Sequence, residues 1–196
     1  EEWQLPPVIL ALAERKRGLV LVTGTTGSGK STGLASMIDH LNDTVADNII
    51  TVEDPVEYLH KDRKSIISQR EIGVDTNSYA NALRSALRQD PDVLLVGEIR
   101  DLETMQIALT AADTGHMVFA TIHTTNATET IARVLSMYPP HQHDDVRLLL
   151  GECLAGIISL RLLPTADGTS RVPAAEIMIN TAAIREYMIA KDKTSM

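Results

Sequence analysis

The chain has 196 residues, of which 44% are hydrophobic and 22% charged, and its formal net charge is −8 at pH 7. This balance is typical of a soluble globular protein, indicates neither disorder nor a membrane protein, and fits a single domain built on one main sheet. The excess of acidic residues argues against a broad nucleic-acid-binding face. No apolar run is long enough to span a membrane, and the acidic N-terminus has the wrong polarity for a secretory signal, so we expect a cytosolic protein.

The first segment, Trp3 to Arg17, is predicted to be a connector followed by one helix. Pro6 and Pro7 suit a helix start, and the residues after them give one apolar side. We therefore assign residues 1–18 to a linker and lead-in helix.

The most informative stretch is LVLVTGTTGSGKS, from Leu19 to Ser31. A short apolar run of strand composition leads into the pattern G-x-x-x-x-G-K-S, and a predicted helix follows from Thr32 to Leu41. The glycines allow backbone N–H groups to surround an anion, and the helix directs its positive end to the same place. The residues predicted to bind a nucleoside triphosphate are Gly24, Thr25, Thr26, Gly27, Ser28, Gly29, Lys30, Ser31 and Thr32.

Two side chains of this loop have specific predicted roles. Lys30 is expected to reach the β and γ phosphates as a point charge, and the Ser31 hydroxyl is expected to bind the magnesium ion that bridges them.

A second strand, predicted from Ile49 to Val52, is followed by the carboxylates of Glu53, Asp54 and Glu57. In open α/β sheets the ligand lies at the carboxyl ends of the strands, so these acids would arrive beside the phosphates. The alternative is a solvated turn at the Asp-Pro pair. Because these acids face a phosphate-binding loop, we favour a functional role for them, in which Glu53 or Glu57 assists hydrolysis through water or metal.

Residues 59–77 are polar with a short β-like stretch, and we interpret them as a loop or hairpin; a helix is predicted from Ser78 to Gln89. The apolar run Val93 to Val96 is typical of a strand covered on both faces, and Glu98 follows it. In P-loop ATPases an acid at this place either holds magnesium through water or takes the proton of the attacking water. We predict that Glu98 is this base; the alternative is an ordinary turn carboxylate.

The next unit is a helix from Leu102 to Asp113, with Asp101 as N-cap and Gly115 as C-cap, and then a strand from Met117 to Ile122. His123 ends this strand at the predicted site, where it would contact the γ-phosphate and report its loss.

The remaining elements are predicted from caps and turns. Asn126 and Glu129 form a capping-box pattern for a helix to about Met137. Further predicted elements are a helix over 144–156, a hairpin of 157–163 with 171–179, and a last helix over 181–190.

With these residues in place, the chain resembles the secretion ATPase superfamily, and within it the PilT-type motor ATPases that retract type IV pili in twitching motility. The boxes of that family occur in order: Gly24–Ser31 as Walker A, Thr51–Tyr58 as the Asp box, Asp92–Asp101 as Walker B, and Thr114–Thr125 as the His box.

The resemblance implies a RecA-like α/β core over 19–163 with a central, mostly parallel sheet, and a C-terminal hairpin and helix over 164–196. It also implies a homo-hexamer that hydrolyses ATP with Mg²⁺ at the inner face of the cell membrane, peripheral to it. There the hexamer would work on an inner-membrane pilus platform protein and the pilus machine, without nucleic acid.

Two features bear on the branch of the family. Assembly and type II secretion ATPases usually carry a four-cysteine zinc element, and Cys153 alone cannot supply it, so we expect no zinc. Retraction ATPases carry an Ala-Ile-Arg-Asn-Leu-Ile-like motif, which Ala183, Ile184 and Arg185 match before the sequences diverge. These residues are predicted to couple the motor to its partner.

Family members also carry an N-terminal domain whose arginines reach the nucleotide of the neighbouring subunit. We expect that domain to be absent from this chain, and therefore expect slow turnover by the chain alone. Alternatives that stay open are an ATPase of another secretion or pilus-assembly machine and a nucleotide-gated regulatory subunit with little hydrolysis. A DNA motor is a weaker third alternative.

Overall fold

The computed structural model describes residues 6–190, and over that range it consists of one sheet with helices on both faces. The helices are α1 (Val8–Ala13), α2 (Lys30–Thr44), α3 (Tyr79–Ala86), α4 (Leu102–Asp113), α5 (Ala127–Ser136), α6 (His143–Cys153) and α7 (Ala182–Ile189). The strands are β1 (Gly18–Thr23), β2 (Asn48–Glu53), β3 (Ile66–Glu71), β4 (Val93–Val96), β5 (Met117–Ile122), β6 (Leu154–Pro164) and β7 (Arg171–Ile179). Short 3₁₀ turns lie at Leu87–Gln89 and Pro140–Gln142. The start of the predicted lead-in helix at Trp3 and the end of the predicted C-terminal unit lie outside the described residues.

The sheet has the strand order β3-β2-β4-β5-β1-β6-β7. Neighbouring strands are parallel except for β6 and β7, which are antiparallel. Every residue of β1, β4 and β5 is buried, because helices cover both faces of a parallel sheet. The predicted α/β fold with a mostly parallel sheet is confirmed.

Two hydrophobic cores lie on opposite faces of the sheet, and successive residues of β1 alternate between them. Leu19 and Leu21 pack with α3, α4, α5 and α6 on one face, whereas Val20 and Val22 pack with α1 and α2 on the other. This alternation follows from the two-residue period of a strand. It explains why a continuous apolar run forms a central strand here.

In the described part of the chain, four helices begin with a side-chain cap, and three of these caps are predicted by the sequence. Asp101 accepts from the N–H of Thr104, Asn126 from that of Glu129, and Thr181 from that of Ile184. The capping box at α5 is modified, because the Glu129 carboxylate accepts from the N–H of Thr125 instead of the N-cap residue.

The interpretation of residues 59–77 as a loop or hairpin is wrong. Ile66–Glu71 forms the edge strand β3, which pairs in parallel with β2. Its local pattern is mixed because an edge strand is only partly covered, and its partner lies earlier in the chain. The loop before β3 is attached to α2 by Asn42, whose side chain donates to Lys61 O at 2.7 Å and accepts from the N–H of Arg63 at 2.9 Å.

The predicted C-terminal hairpin is present as β6 and β7. However, the preceding helix ends at Cys153, and residues 154–156 belong to β6 instead of that helix. Because β6 also pairs in parallel with β1, the hairpin continues the central sheet. A Cβ on Gly156 would lie 2.7 Å from the Met178 carbonyl oxygen, so this strand pair needs a glycine there.

The cysteine of the chain lies in the interior. Cys153 is buried at the end of α6, and burial, together with the nearby charge of Asp113, raises the pKa of its thiol to about 12. Between residues 6 and 190, no helix combines the length and apolar character needed to cross a membrane.

Candidate functional site

The carboxyl ends of β1, β2, β4 and β5 meet at one edge of the sheet because these strands are parallel. A cleft of about 340 Å³ lies at this edge. The predicted site residues that line it are Thr26, Gly27, Lys30, Ser31, Glu53, Glu57, Glu98 and His123. Gly29 and Thr32 line the adjoining groove, where Lys30, Ser31 and Glu57 also face. The strand-end positions inferred from the sequence are therefore brought together.

The loop between β1 and α2 needs its glycines. Gly24, Gly27 and Gly29 have φ angles of +145°, +73° and +95°, which residues other than glycine rarely adopt. A Cβ on Gly24 would also lie 2.5 Å from the carbonyl oxygen of Leu160 on β6 and closer still to the Ser28 hydroxyl. The loop is thus tightly packed against β6 on one side while its other side lines the cleft.

Lys30 begins α2 and is only 9% exposed. Its Nζ donates to Gly24 O at 2.9 Å and to Thr25 O at 3.0 Å, which holds the ammonium group at the loop. Burial lowers the pKa of Lys30, and the negative charges of Glu98 and Glu57 oppose that shift. The site therefore has one ammonium group inside the loop and carboxylates facing it.

The Asp box supplies oxygen atoms on the other side of the cleft. Glu53 Oε1 accepts from Thr51 Oγ1 at 2.7 Å and from Gln69 Nε2 at 3.2 Å, so this carboxylate is held in place. Glu57 is exposed and faces the loop. These carboxylates and the Ser31 hydroxyl are the hard oxygen donors that Mg²⁺ prefers, so the donor set fits this ion.

Glu98 lies between the side chains of Arg100 and His123. Its Oε2 is 2.6 Å from Nη2 of Arg100, and its Oε1 is 3.2 Å from Nε2 of His123. Burial alone would raise the pKa of Glu98, but the hydrogen bond from Arg100 and the charge of His123 outweigh burial and place it below its ordinary value. The carboxylate is therefore ionised and is oriented by both neighbours.

Sequence reasoning missed several side chains that line this cleft, among them Arg100, Tyr79 and Tyr58. Burial and the nearby charges of Asp54 and Glu98 raise the pKa of Tyr79 to about 12, which keeps its hydroxyl protonated. The Tyr58 hydroxyl is 2.8 Å from Thr32 Oγ1 and so joins the Asp box to α2. Two of them could have been found from the sequence, because Arg100 lies inside the Walker B box and Tyr58 inside the Asp box.

The predicted coupling residues lie elsewhere, on α7. Ile184 packs against the core, and Arg185 forms a 3.1 Å ion pair with Glu152 of α6. Ala183 is exposed. None of these side chains lines the cleft, so their role in coupling stays a prediction.

Comparison with known proteins identifies the family of the chain. The Type II/IV secretion system protein family matches residues 5–193. The chain is 52% identical to a twitching motility protein of Neisseria gonorrhoeae, with 96% of this chain and 50% of the relative aligned. It is 51% identical to the type IV pilus retraction ATPase PilT of Pseudomonas aeruginosa, with 100% of this chain and 56% of the relative aligned.

Among solved structures, a pilus retraction motor PilT with bound ADP matches with a TM-score of 0.92 and 56% identity, over 94% of this chain and 54% of that one. The chain thus spans about half the length of these relatives. Because the family match extends over nearly all of its residues, the chain belongs to the Type II/IV secretion system protein family.

Proposed function

We propose that this chain is the catalytic core of a Mg²⁺-dependent ATPase that powers retraction of type IV pili, and so twitching motility. One observation carries the proposal: a single cleft brings the phosphate-binding loop together with an ionised, oriented Glu98. The choice of pilus retraction is supported by the relatives at 51% and 52% identity, which are named for pilus retraction and twitching motility.

Different groups of the chain would bind the phosphates of ATP and the magnesium ion. Lys30 and the backbone N–H groups from Gly27 to Ser31 bind the β and γ phosphates of ATP at the start of α2. Ser31, with Glu53 or Glu57, would hold Mg²⁺. When bound, that ion supplies neutralisation of phosphate charge.

Glu98 and His123 divide the work of hydrolysis. As the general base, Glu98 accepts the proton of the attacking water and orients that water towards the γ-phosphate. His123, in contact with Glu98 at the end of β5, senses whether the γ-phosphate is present. The hydrogen bond from Arg100 lowers the pKa of this base, so the base stays ionised to lower pH.

The proposed assembly is a homo-hexamer at the cytoplasmic face of the inner membrane. The motor would act on an inner-membrane pilus platform protein and on the pilus machine, and would remain peripheral to the membrane.

The test is ATP turnover with Mg²⁺ by the full-length protein, wild type beside Glu98→Gln, with size-exclusion light scattering of both. Loss of the base is expected to lower kcat at least 100-fold while ATP binding and the hexamer persist. Glu103→Gln is the matched control, since Glu103 is an exposed carboxylate on α4 away from the cleft, and it should hydrolyse ATP like the wild type. If wild type and Glu98→Gln bind ATP equally and neither hydrolyses it, even with pilus membranes, the ATPase proposal is wrong.

A further inference from the structure

One face of the β6–β7 hairpin is directed at the catalytic loops. In the antiparallel register Ser159 lies opposite Glu176, and Arg161 is two residues further along β6. Side chains two residues apart share a face of a strand, and directly opposed residues share it too. Ser159, Arg161 and Glu176 therefore lie on one face, beside the loop that joins β5 to α5.

Two of these side chains hold the loop that follows His123. Arg161 Nη2 donates to the carbonyl oxygen of Thr125 at 3.2 Å. The N–H of Ala127 donates to Glu176 Oε1 at 3.0 Å. The hairpin thus contacts the backbone on both sides of Asn126, at residues two and four positions beyond His123.

The same loop is fixed on its other side to α5. Thr124 Oγ1 and Thr130 Oγ1 are 2.6 Å apart and buried, and Glu129 accepts from both the N–H and the hydroxyl of Thr125. The loop is therefore attached by hydrogen bonds both to the hairpin and to α5. His123 precedes this anchored segment directly, so its distance of 3.2 Å from Glu98 depends on where the anchors hold the loop.

The third side chain of this face is connected to the phosphate-binding loop. Thr23 Oγ1, at the end of β1, donates to Ser159 Oγ at 2.9 Å in the buried interior. The next residue, Leu160, approaches Gly24 through its carbonyl oxygen. Consecutive residues of β6 therefore contact the loop that binds phosphate and the loop that carries His123.

We propose that Arg161 and Glu176 are positioning residues, which act on hydrolysis by holding the loop that aims His123 at Glu98. Neither side chain lines the cleft of Lys30 and Glu98, so their effect is on the geometry of the base. Arg161 also lines a second groove beside residues 24–28 of the phosphate-binding loop, so Glu176 is the residue that separates this effect from nucleotide affinity. This inference rests on the proposed hydrolysis of ATP by the full-length protein.

The test is steady-state hydrolysis by full-length Arg161→Met and Glu176→Met, with ADP affinity and Tm measured alongside. Each variant is expected to lower kcat about fivefold, the rate equivalent of one net hydrogen bond. Glu176→Met should keep the KM for ATP and the affinity for ADP within about twofold of wild type. Arg161→Lys keeps a donor for Thr125 O, and Glu176→Gln keeps an acceptor for the N–H of Ala127. Both conservative variants should recover most of the lost kcat.

Arg133→Met is the control, because it removes an exposed arginine of α5 that does not line the cleft or the grooves beside the phosphate-binding loop. It should leave kcat unchanged. Methionine variants with wild-type kcat would overturn the inference. So would a rise in KM without a fall in kcat, a drop in Tm that parallels the lost activity, or a failure of Glu176→Gln to recover. A wild-type protein that hydrolyses ATP while the methionine variants match it overturns this inference alone, whereas inactivity of the wild type overturns the proposed function on which it rests.

Discussion

The carboxylate of Glu98 is oriented by two neighbouring side chains, and the same neighbours lower its pKa. Arg100 contacts one of its oxygen atoms and His123 contacts the other. The remaining lone pairs of the carboxylate can accept hydrogen bonds from a water molecule. The sequence could predict Glu98 from its place after a buried strand. It could not predict the role of Arg100, because whether two side chains so close in sequence meet depends on the loop conformation after β4.

The ion pair with Arg100 predicts a pH effect. A base works only when ionised, so its activity is lost as the pH falls through its folded-state pKa. Since Arg100 lowers the pKa of Glu98, Arg100→Gln should raise that pKa and move the acid limb of the kcat–pH profile to higher pH. Profiles of wild type and variant from about pH 4 to pH 8 would measure it.

Arg84→Gln is the control for that profile, because Arg84 is an exposed arginine that also pairs with a glutamate, Glu103, but lies outside the cleft. Its acid limb should coincide with that of the wild type. An acid limb that stays in place in Arg100→Gln would show that Arg100 does not set the ionisation of the base.

The elements of this fold differ in how far the local sequence determines them. The predicted bounds of β4, α4 and β5 coincide with the structure, because continuous apolar runs and the Asp101 cap are local signals. The β-like stretch of β3 was assigned to a loop or hairpin, since its pairing with β2 is a long-range contact and its side chains are mixed in polarity. The pairing of β6 with β1 was missed for the same reason.

Asn42 is the side chain that attaches the loop before β3 to α2, and its replacement gives a stability prediction. It is fully buried, and its amide makes hydrogen bonds to the backbone at Lys61 and Arg63. Asn42→Ala leaves both backbone groups without their partner and should lower the free energy of unfolding by about 2–4 kcal/mol.

Urea unfolding would measure this change against Ser36→Ala, which removes an exposed hydroxyl from the same helix and should cost less than about 0.5 kcal/mol. Equal stability of the two variants would mean that the loop is held by other contacts.

At the scale of the whole molecule, one sheet joins the phosphate-binding loop, the carboxylates and the hairpin. Because β6 is hydrogen-bonded to β1, the hairpin belongs to the central sheet and should not open as a separate unit. Hydrogen exchange is expected to be slowest in β1, β4 and β5 and faster in the edge strands β3 and β7. Mass spectrometry of peptides from each strand would measure these rates. Exchange of β6 as fast as that of β7, well ahead of β1, would contradict the prediction.

The buried thiol of Cys153 gives this cooperative molecule an internal reporter. Burial raises the pKa of this thiol to about 12, which keeps it protonated at neutral pH, and burial also shields the sulfur atom from reagents. Modification by a maleimide or an aromatic disulfide therefore has to wait for the surrounding core to open. The rate at which this thiol is labelled in the native protein therefore measures how often that core opens. Dyes directed to cysteines introduced on the exposed hairpin would react there first, because the native thiol is buried.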